Sequence, residues 1–225
     1  MDQDTAKRLA AEAALLHLPE SGVIGLGSGS TAAPFIVGVG KLVESGRELL
    51  GVPTSKASRQ LALACGIELL PEEGPWQVDV CVDGADEVSA DLDLIKGGGG
   101  CMAREKVVNQ ASRTNLIIVD DSKLSERLGE RWAVPVEVLG FAHRCTAAEL
   151  AAFGTPSLRM GRDGPYRTDS GHLIYDLQAG PIDDPEYLDR QLVAIPGVVE
   201  TGLFVGRVDR VIVAGENGIR ELVRR

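Results

Sequence analysis

Residues 21–44, SGVIGLGSGSTAAPFIVGVGKLVE, decide how the rest of the chain is read. A short β-branched run meets glycines and hydroxyls at 27–31, and the apolar residues after them recur at helical spacing. The unit is strand, glycine-rich turn, helix. The same order returns in LLGVPTS leading into KASRQLALACG (49–66) and again in VDVCVDGADE (78–87), and NLIIVDDSK (115–123) reads as another strand with a polar end. KGGGG (96–100) opens a helical pattern over CMAREKVVNQAS, and residues 4–17 carry a helical stripe of their own. Short apolar strands alternating with helices predict an α/β fold around a parallel sheet. Such sheets place ligands at the carboxyl ends of their strands. The unusual stretches at 27–31, 53–56, 83–86, 96–100 and 120–123 are all expected at such ends, and so at one shared site.

Past residue 130 the texture changes. WAVPVEVL, TAAELAAFG, SLRMGRDGPYRTDSGHLIYDL and DPEYLDRQLVAIPGVVETGLF suggest strand, helix, hairpin, helix, strand. RVDRVIVAGENGIRELVRR then reads as strand, turn and helix returning to the first sheet. The predicted organisation is a core of residues 1–129 plus 207–225, with residues 130–206 inserted as a smaller α+β unit able to cover the site.

Composition narrows the function. At 225 residues with 44% apolar and 25% charged content the chain can bury a proper core. A net charge of −10 and only 4% aromatics argue against nucleic acid or an anionic membrane as the main partner. An anionic metabolite would need a local positive site. The N-terminal stretch MDQDTAKRLAAEAALLHLPE lacks the basic and apolar regions of a signal peptide, and no apolar run approaches a membrane span. Cys65, Cys81, Cys101 and Cys145 are scattered and read as reduced thiols of a cytoplasmic protein. His17, His143 and His172 are isolated, so no metal site is expected from them.

Ser28, Gly29, Ser30 and Thr31 follow Gly27 where a strand gives way to a helix, the place where backbone N–H groups and hydroxyls bind phosphate. The blander alternative is a tight turn with a hydroxyl N-cap. Gly27-x-Gly29-x-x-Ala32 also satisfies a loose dinucleotide pattern, but the next strand ends in Pro53-Thr54-Ser55-Lys56 without the acid such a site wants. Asp83-Gly84-Ala85-Asp86 ends a buried-looking strand, and two acids there can bind sugar hydroxyls, shuttle protons or hold a metal. Glu87, Asp91 and Asp93 read as a solvated turn. Lys96 before Gly97, Gly98, Gly99 and Gly100 combines a cation with backbone that can crowd a small ligand, a means of stabilising a developing oxyanion. Glu105 falls in the first turn of the next helix, where side chains tilt back toward the N-terminus, and is a credible general base. Lys106 reads as part of a solvated helical face. Lys123 offers a second cation, and Lys7 a weaker one.

GLGSGSTA, DGADEV, KGGGG-x-x-x-REK and DDSK, in this order and spacing, resemble ribose-5-phosphate isomerase of type A. PVEV (135–138), TDSGHLIYD (168–176) and ETGLF (200–204) extend the resemblance over nearly the whole chain. It implies a Rossmann-like core with an α+β, ferredoxin-like lid, in a homodimer or homotetramer. It further implies cofactor-free and metal-free interconversion of ribose 5-phosphate and ribulose 5-phosphate. Glu105 would be the base, Asp83 and Lys96 would assist ring opening and charge stabilisation, and Asp86 would bind substrate. Residues 28–31, 83–86, 96–99 and Lys123 would complete the substrate site. Ser28 stands in place of the family's usual threonine, Cys101 in place of alanine, and DSGH (169–172) in place of DNGN. Three rivals remain at this point: a CoA-transferase-like enzyme with Glu105 as nucleophile, a non-catalytic sugar-phosphate sensor, and a metal-dependent isomerase using Asp83, Asp86 and Asp91.

Overall fold

The computed structural model describes residues 1–224; Arg225, part of the last predicted helix and of the predicted core, lies outside the described residues. In chain order the elements begin with α1 (Gln3–Leu15), β1 (Ser21–Leu26), α2 (Gly29–Glu44), β2 (Glu48–Pro53), α3 (Lys56–Ala64) and β3 (Glu68–Leu69). Next come β4 (Val78–Asp83), β5 (Glu87–Val88), β6 (Leu94–Ile95), α4 (Met102–Gln110), β7 (Ser112–Asp120) and a 3-10 turn at Asp121–Lys123. They are followed by β8 (Val134–Val138), α5 (His143–Leu150), β9 (Thr155–Leu158), β10 (Met160–Gly161), β11 (Gly164–Pro165) and β12 (Leu173–Gln178). The chain closes with α6 (Pro185–Val193), β13 (Val198–Thr201), β14 (Leu203–Phe204), β15 (Arg210–Gly215) and β16 (Gly218–Val223).

Two compact units result. One comprises Met1–Gly84, Arg104–Lys123 and the segment from Arg207; the other comprises Ala85–Ala103 and Leu124–Gly206. The first unit holds a seven-stranded sheet in the order β16-β15-β7-β4-β1-β2-β3. Every pairing from β15 to β3 is parallel, and β16 alone runs antiparallel at the edge. Period-two alternation sends Ile24 and Leu26, Val80 and Val82, Leu116 and Ile118, and Ile212 and Ala214 into one core, with Ala10, Ala14, Phe35, Ile36 and Val39 from α1 and α2. Val52, Val78 and Cys81 form a second core with Val108 of α4. This is the Rossmann-like arrangement expected.

The second unit carries β13-β8-β12-β9 as a four-stranded antiparallel sheet, with α5 and α6 in the crossovers. That is the βαββαβ, ferredoxin-like order. A separate three-stranded sheet, β14-β6-β5, belongs to the same unit.

Three expectations change here. Residues 218–223 form the edge strand β16, not a helix. Gly215 pairs with Gly218 across Glu216-Asn217, closing a tight hairpin whose Gly218 has φ +90°. Helix formers such as Arg220, Glu221 and Leu222 do not outweigh six cross-strand pairs when no apolar helical face exists. Residues 85–103 and 124–129 cluster with the second unit, whereas the sequence suggested the core. Finally, 27–31, 53–56, 83–86 and 120–123 do follow parallel strands β1, β2, β4 and β7, but 96–100 follows β6 of the small antiparallel sheet.

Candidate active site

In the first unit the chain moves outward from β1 through β2 to β3, then crosses back so that β4 pairs with the other side of β1. The ends of β1 and β4 therefore flank the switch point where open α/β sheets bind ligands. Gly27–Thr31 and Asp83–Gly84 lie there. The Asp83 carboxylate, 4% exposed, accepts from the Ser28 N–H at 2.9 Å and from the Gly84 N–H at 2.8 Å. A Cβ on Gly27 would sit 2.3 Å from Asp83 Oδ1 and 2.6 Å from Asp83 Cα. Only glycine admits this approach.

Ser28 is the N-cap residue of α2 but makes no side-chain capping bond. Its hydroxyl instead lies 2.7 Å from that of buried Thr54, which donates to the Leu26 carbonyl at 3.1 Å. Ser28 therefore caps α2 by position but not through its hydroxyl, and in the first turn of this 16-residue helix Gly29 and Ser30 are exposed and Thr31 is half-buried. Glu105 is buried, 6% exposed, in the first turn of α4. Lys123 ends the 3-10 turn after β7, in which the Ser122 N–H donates to Asp120 Oδ1 at 3.1 Å.

The second unit carries Ala85, Asp86, Lys96 and Gly97–Gly99. The Gly98 N–H donates to Asp86 Oδ2 at 2.7 Å, and the Asp86 N–H donates to the Ile95 carbonyl at 2.9 Å. Lys96, 4% exposed, donates its backbone N–H to the Gly202 carbonyl at 2.8 Å. Its ammonium lies 5.5 Å from the centroid of the Phe204 ring, a favourable face for a buried cation. Gly100 has φ +77°, and a Cβ there would meet the Tyr166 ring at 2.5 Å.

Sequence reasoning missed two side chains at this loop. Arg159 donates to the Gly97 carbonyl at 2.8 Å and to the Gly98 carbonyl at 3.1 Å, while its other nitrogens grip Asp176. The Tyr166 hydroxyl donates to the Gly99 carbonyl at 3.0 Å, and burial raises its pKa above the ordinary tyrosine value. Both stand some sixty residues downstream, so no local motif could announce them.

Some residues read as solvated are buried. The Glu87 carboxylate, 0% exposed, accepts from Ser125 Oγ at 2.7 Å, Gly129 N at 2.9 Å and Arg131 N at 3.1 Å. Asp93 is buried and accepts from the Gly206 N–H at 2.9 Å, Lys106 is buried, and only Asp91 of this group is exposed. Lys7 lies 3.8 Å from Asp4. His172 contacts Glu137 at 2.9 Å, and Glu137 also accepts from Thr168, so the histidine of DSGH makes a half-buried polar contact. The four cysteines are free thiols. Among the described residues no group of three His, Cys, Asp or Glu side chains could hold a metal ion, and no helix is long and apolar enough to cross a membrane.

Similar sequences and similar folds converge on one family. The family model for ribose 5-phosphate isomerase A (phosphoriboisomerase A) matches residues 50–218. The chain is 47% identical over 232 residues to ribose-5-phosphate isomerase A of Rhodopseudomonas palustris (strain BisB18), covering 100% of both chains. It is similar to a solved D-ribose-5-phosphate isomerase in complex with phospho-erythronic acid, with a TM-score of 0.96, 39% identity and 100% of each chain covered. The ribose 5-phosphate isomerase A of Methanocaldococcus jannaschii superposes with a TM-score of 0.92 at 39% identity, covering 97% of this chain and 98% of that one.

Proposed function

This chain belongs to the ribose 5-phosphate isomerase A family, and we propose from that premise that Glu105 moves the proton in interconversion of D-ribose 5-phosphate and D-ribulose 5-phosphate. The reaction is a step of the non-oxidative pentose phosphate pathway. In the aldose-to-ketose direction the open-chain sugar loses its C2 proton to Glu105, and the electron pair passes through a C1–C2 double bond to the carbonyl oxygen at C1. The resulting enediolate is planar. Glu105 returns the proton to C1 while the O2 hydroxyl proton passes to O1, leaving O2 as the carbonyl and O1 as the hydroxyl, so one carboxylate serves both transfers at carbon and no net electron leaves the sugar. The CoA-transferase-like and sensor alternatives are not favoured.

The observation that carries the assignment is a buried carboxylate, Glu105, in the first turn of the helix that directly follows the Lys96–Gly100 turn. Removing a proton next to a carbonyl needs a base held near the carbon and a positive environment for the oxygen. Lys96 supplies a formal charge, and the glycine turn supplies backbone donors. Asp83 and Lys96 assist ring opening, and Asp86 binds substrate together with Gly84, Ala85 and Gly97–Gly99. Ser28, Gly29, Ser30 and Thr31 hold the phosphate at the N-terminus of α2, with Lys123 as a further cation. In this reading the second unit serves as the lid, the protein works in the cytoplasm as a homodimer or homotetramer, and turnover needs neither cofactor nor metal.

The test is conversion of ribose 5-phosphate to ribulose 5-phosphate by the purified chain in EDTA with no nucleotide added. Turnover is expected. Folded protein that binds ribose 5-phosphate without converting it would support a sensor instead, and a thioester at Glu105 on mixing with an acyl-CoA would support a transferase.

A further inference from the structure

Glycine peptides rotate easily, so four in a row do not by themselves aim a hydrogen-bond donor at anything. Each peptide of the Gly97–Gly100 turn is nevertheless held. In a trans peptide the carbonyl and the N–H point in opposite directions, so fixing one fixes the other. The Gly97–Gly98 peptide is held at both ends, with Arg159 on the carbonyl at 2.8 Å and Asp86 on the N–H at 2.7 Å. The Gly99–Gly100 peptide is held by Tyr166 on its carbonyl at 3.0 Å, while the Gly100 N–H donates to the Gly97 carbonyl at 2.9 Å.

The peptide between them differs. Its carbonyl, on Gly98, accepts from Arg159 at 3.1 Å. Its N–H, on Gly99, has no hydrogen-bond partner among the described residues. Gly99 is exposed, and a Cβ built there would meet nothing within 4 Å. Arg159 is itself fixed: Nε donates to Asp176 Oδ2 at 3.0 Å, Nη2 donates to Oδ1, and its guanidinium lies 5.9 Å from the centroid of the Tyr166 ring. Without Arg159 nothing else on that carbonyl opposes a flip of the Gly98–Gly99 peptide. A flip would turn a carbonyl dipole toward the space the N–H now faces.

We propose that Arg159, oriented by Asp176, is a positioning residue that fixes the Gly98–Gly99 peptide so that the Gly99 N–H donates to the substrate oxygen on which charge develops. This rests on the isomerase reading above. The donor acts on charge that appears only in the transition state, so its loss lowers kcat and kcat/KM together and leaves KM nearly unchanged. A hairpin staple with no link to the reaction would instead lower stability and leave those ratios alone.

The experiment compares wild type, Arg159→Met and Arg159→Lys for turnover of ribose 5-phosphate and for binding of 4-phosphoerythronate. The carboxylate of that compound offers a planar anion where the enediolate would form. Arg159→Met should lose about 10²-fold in kcat, the usual scale for an oxyanion donor, with KM changed less than about threefold. Affinity for 4-phosphoerythronate should fall in step with kcat/KM, and Arg159→Lys, which keeps a cation but not the fork, should lie between. If Arg159→Met does not fold, Arg159→Lys decides the matter by the same proportional fall. An active wild type with unchanged kcat in a folded variant, or with the whole loss in KM, would overturn the proposal alone. A wild type without turnover would overturn the isomerase reading and this proposal with it.

Discussion

Two glycine-rich turns, Gly27–Thr31 and Gly97–Gly100, are held in place by opposite means. In both a carboxylate takes a backbone N–H, Asp83 from Ser28 at 2.9 Å and Asp86 from Gly98 at 2.7 Å. The first turn is otherwise shaped by its neighbours: the parallel strands on either side, Thr54 at the end of the next strand, and the helix it opens. The second follows a two-residue strand and is gripped on its carbonyl side by Arg159 and Tyr166 from a hairpin far along the chain. A turn built into a parallel sheet inherits its geometry. A turn outside one has to be held.

If that contrast is right, the second turn should yield to changes far from it. Glu87→Ala removes the buried carboxylate that ties β5, the partner of β6, to Ser125, Gly129 and Arg131. Leaving those donors unpaired should cost on the order of 3 kcal/mol, read by denaturant unfolding of the full chain. A loss below about 1 kcal/mol would mean that β5 and β6 do not depend on this anchor.

The next effect separates the two turns directly. Gly27→Ala drives a Cβ against the backbone of Asp83, 2.6 Å from its Cα, and should destabilise by about 1–3 kcal/mol. Gly99→Ala meets nothing within 4 Å and should stay within about 0.5 kcal/mol of wild type in the same unfolding measurement. Equal costs would erase the distinction between a turn confined by backbone and one held from outside. Thr54→Val, which removes the hydroxyl contacting Ser28 and Leu26, should cost about 1 kcal/mol. No measurable loss would show that the first turn needs no polar support from its neighbouring strand.

The smallest effect concerns the edge of the sheet. The hydrogen bond from Arg210 holds the Glu221 carboxyl below its ordinary pKa, with a further contribution from His17. A pKa lower in the folded state means stabilisation that is present above the ordinary carboxylate value and fades as pH falls through the folded one. Amide-exchange protection across β15 and β16, corrected for intrinsic exchange, should therefore drop on acidification before that of β1 and β4 does. A simultaneous drop would remove Glu221 as the cause.

What was legible in the sequence follows the same division. That Ser28–Thr31 and Asp83–Gly84 stand at strand ends was legible because a parallel strand of six apolar-patterned residues announces its own end. Lys96 and Glu105 were legible as types in a pattern, yet the turn between them was assigned to the wrong sheet because a two-residue strand carries almost no periodicity. Glu87 and Lys106 read as solvated because charge alone does not reveal the partners or packing that bury a group. Residues 218–223 read as helix because Arg, Glu and Leu favour one locally, whereas the ladder with β15 is a long-range effect. Arg159 and Tyr166 had no local signature at all. Their contacts with the glycine turn exist only after the hairpin has folded.

The most direct test of the central claim is single-turnover isomerisation by Glu105→Gln, with binding of ribose 5-phosphate measured on the same preparation. Binding near the wild-type level with turnover reduced by at least about a hundredfold is the expected result, because the amide keeps the shape but cannot accept the proton. Near-normal turnover in the folded variant would show that another group moves the proton.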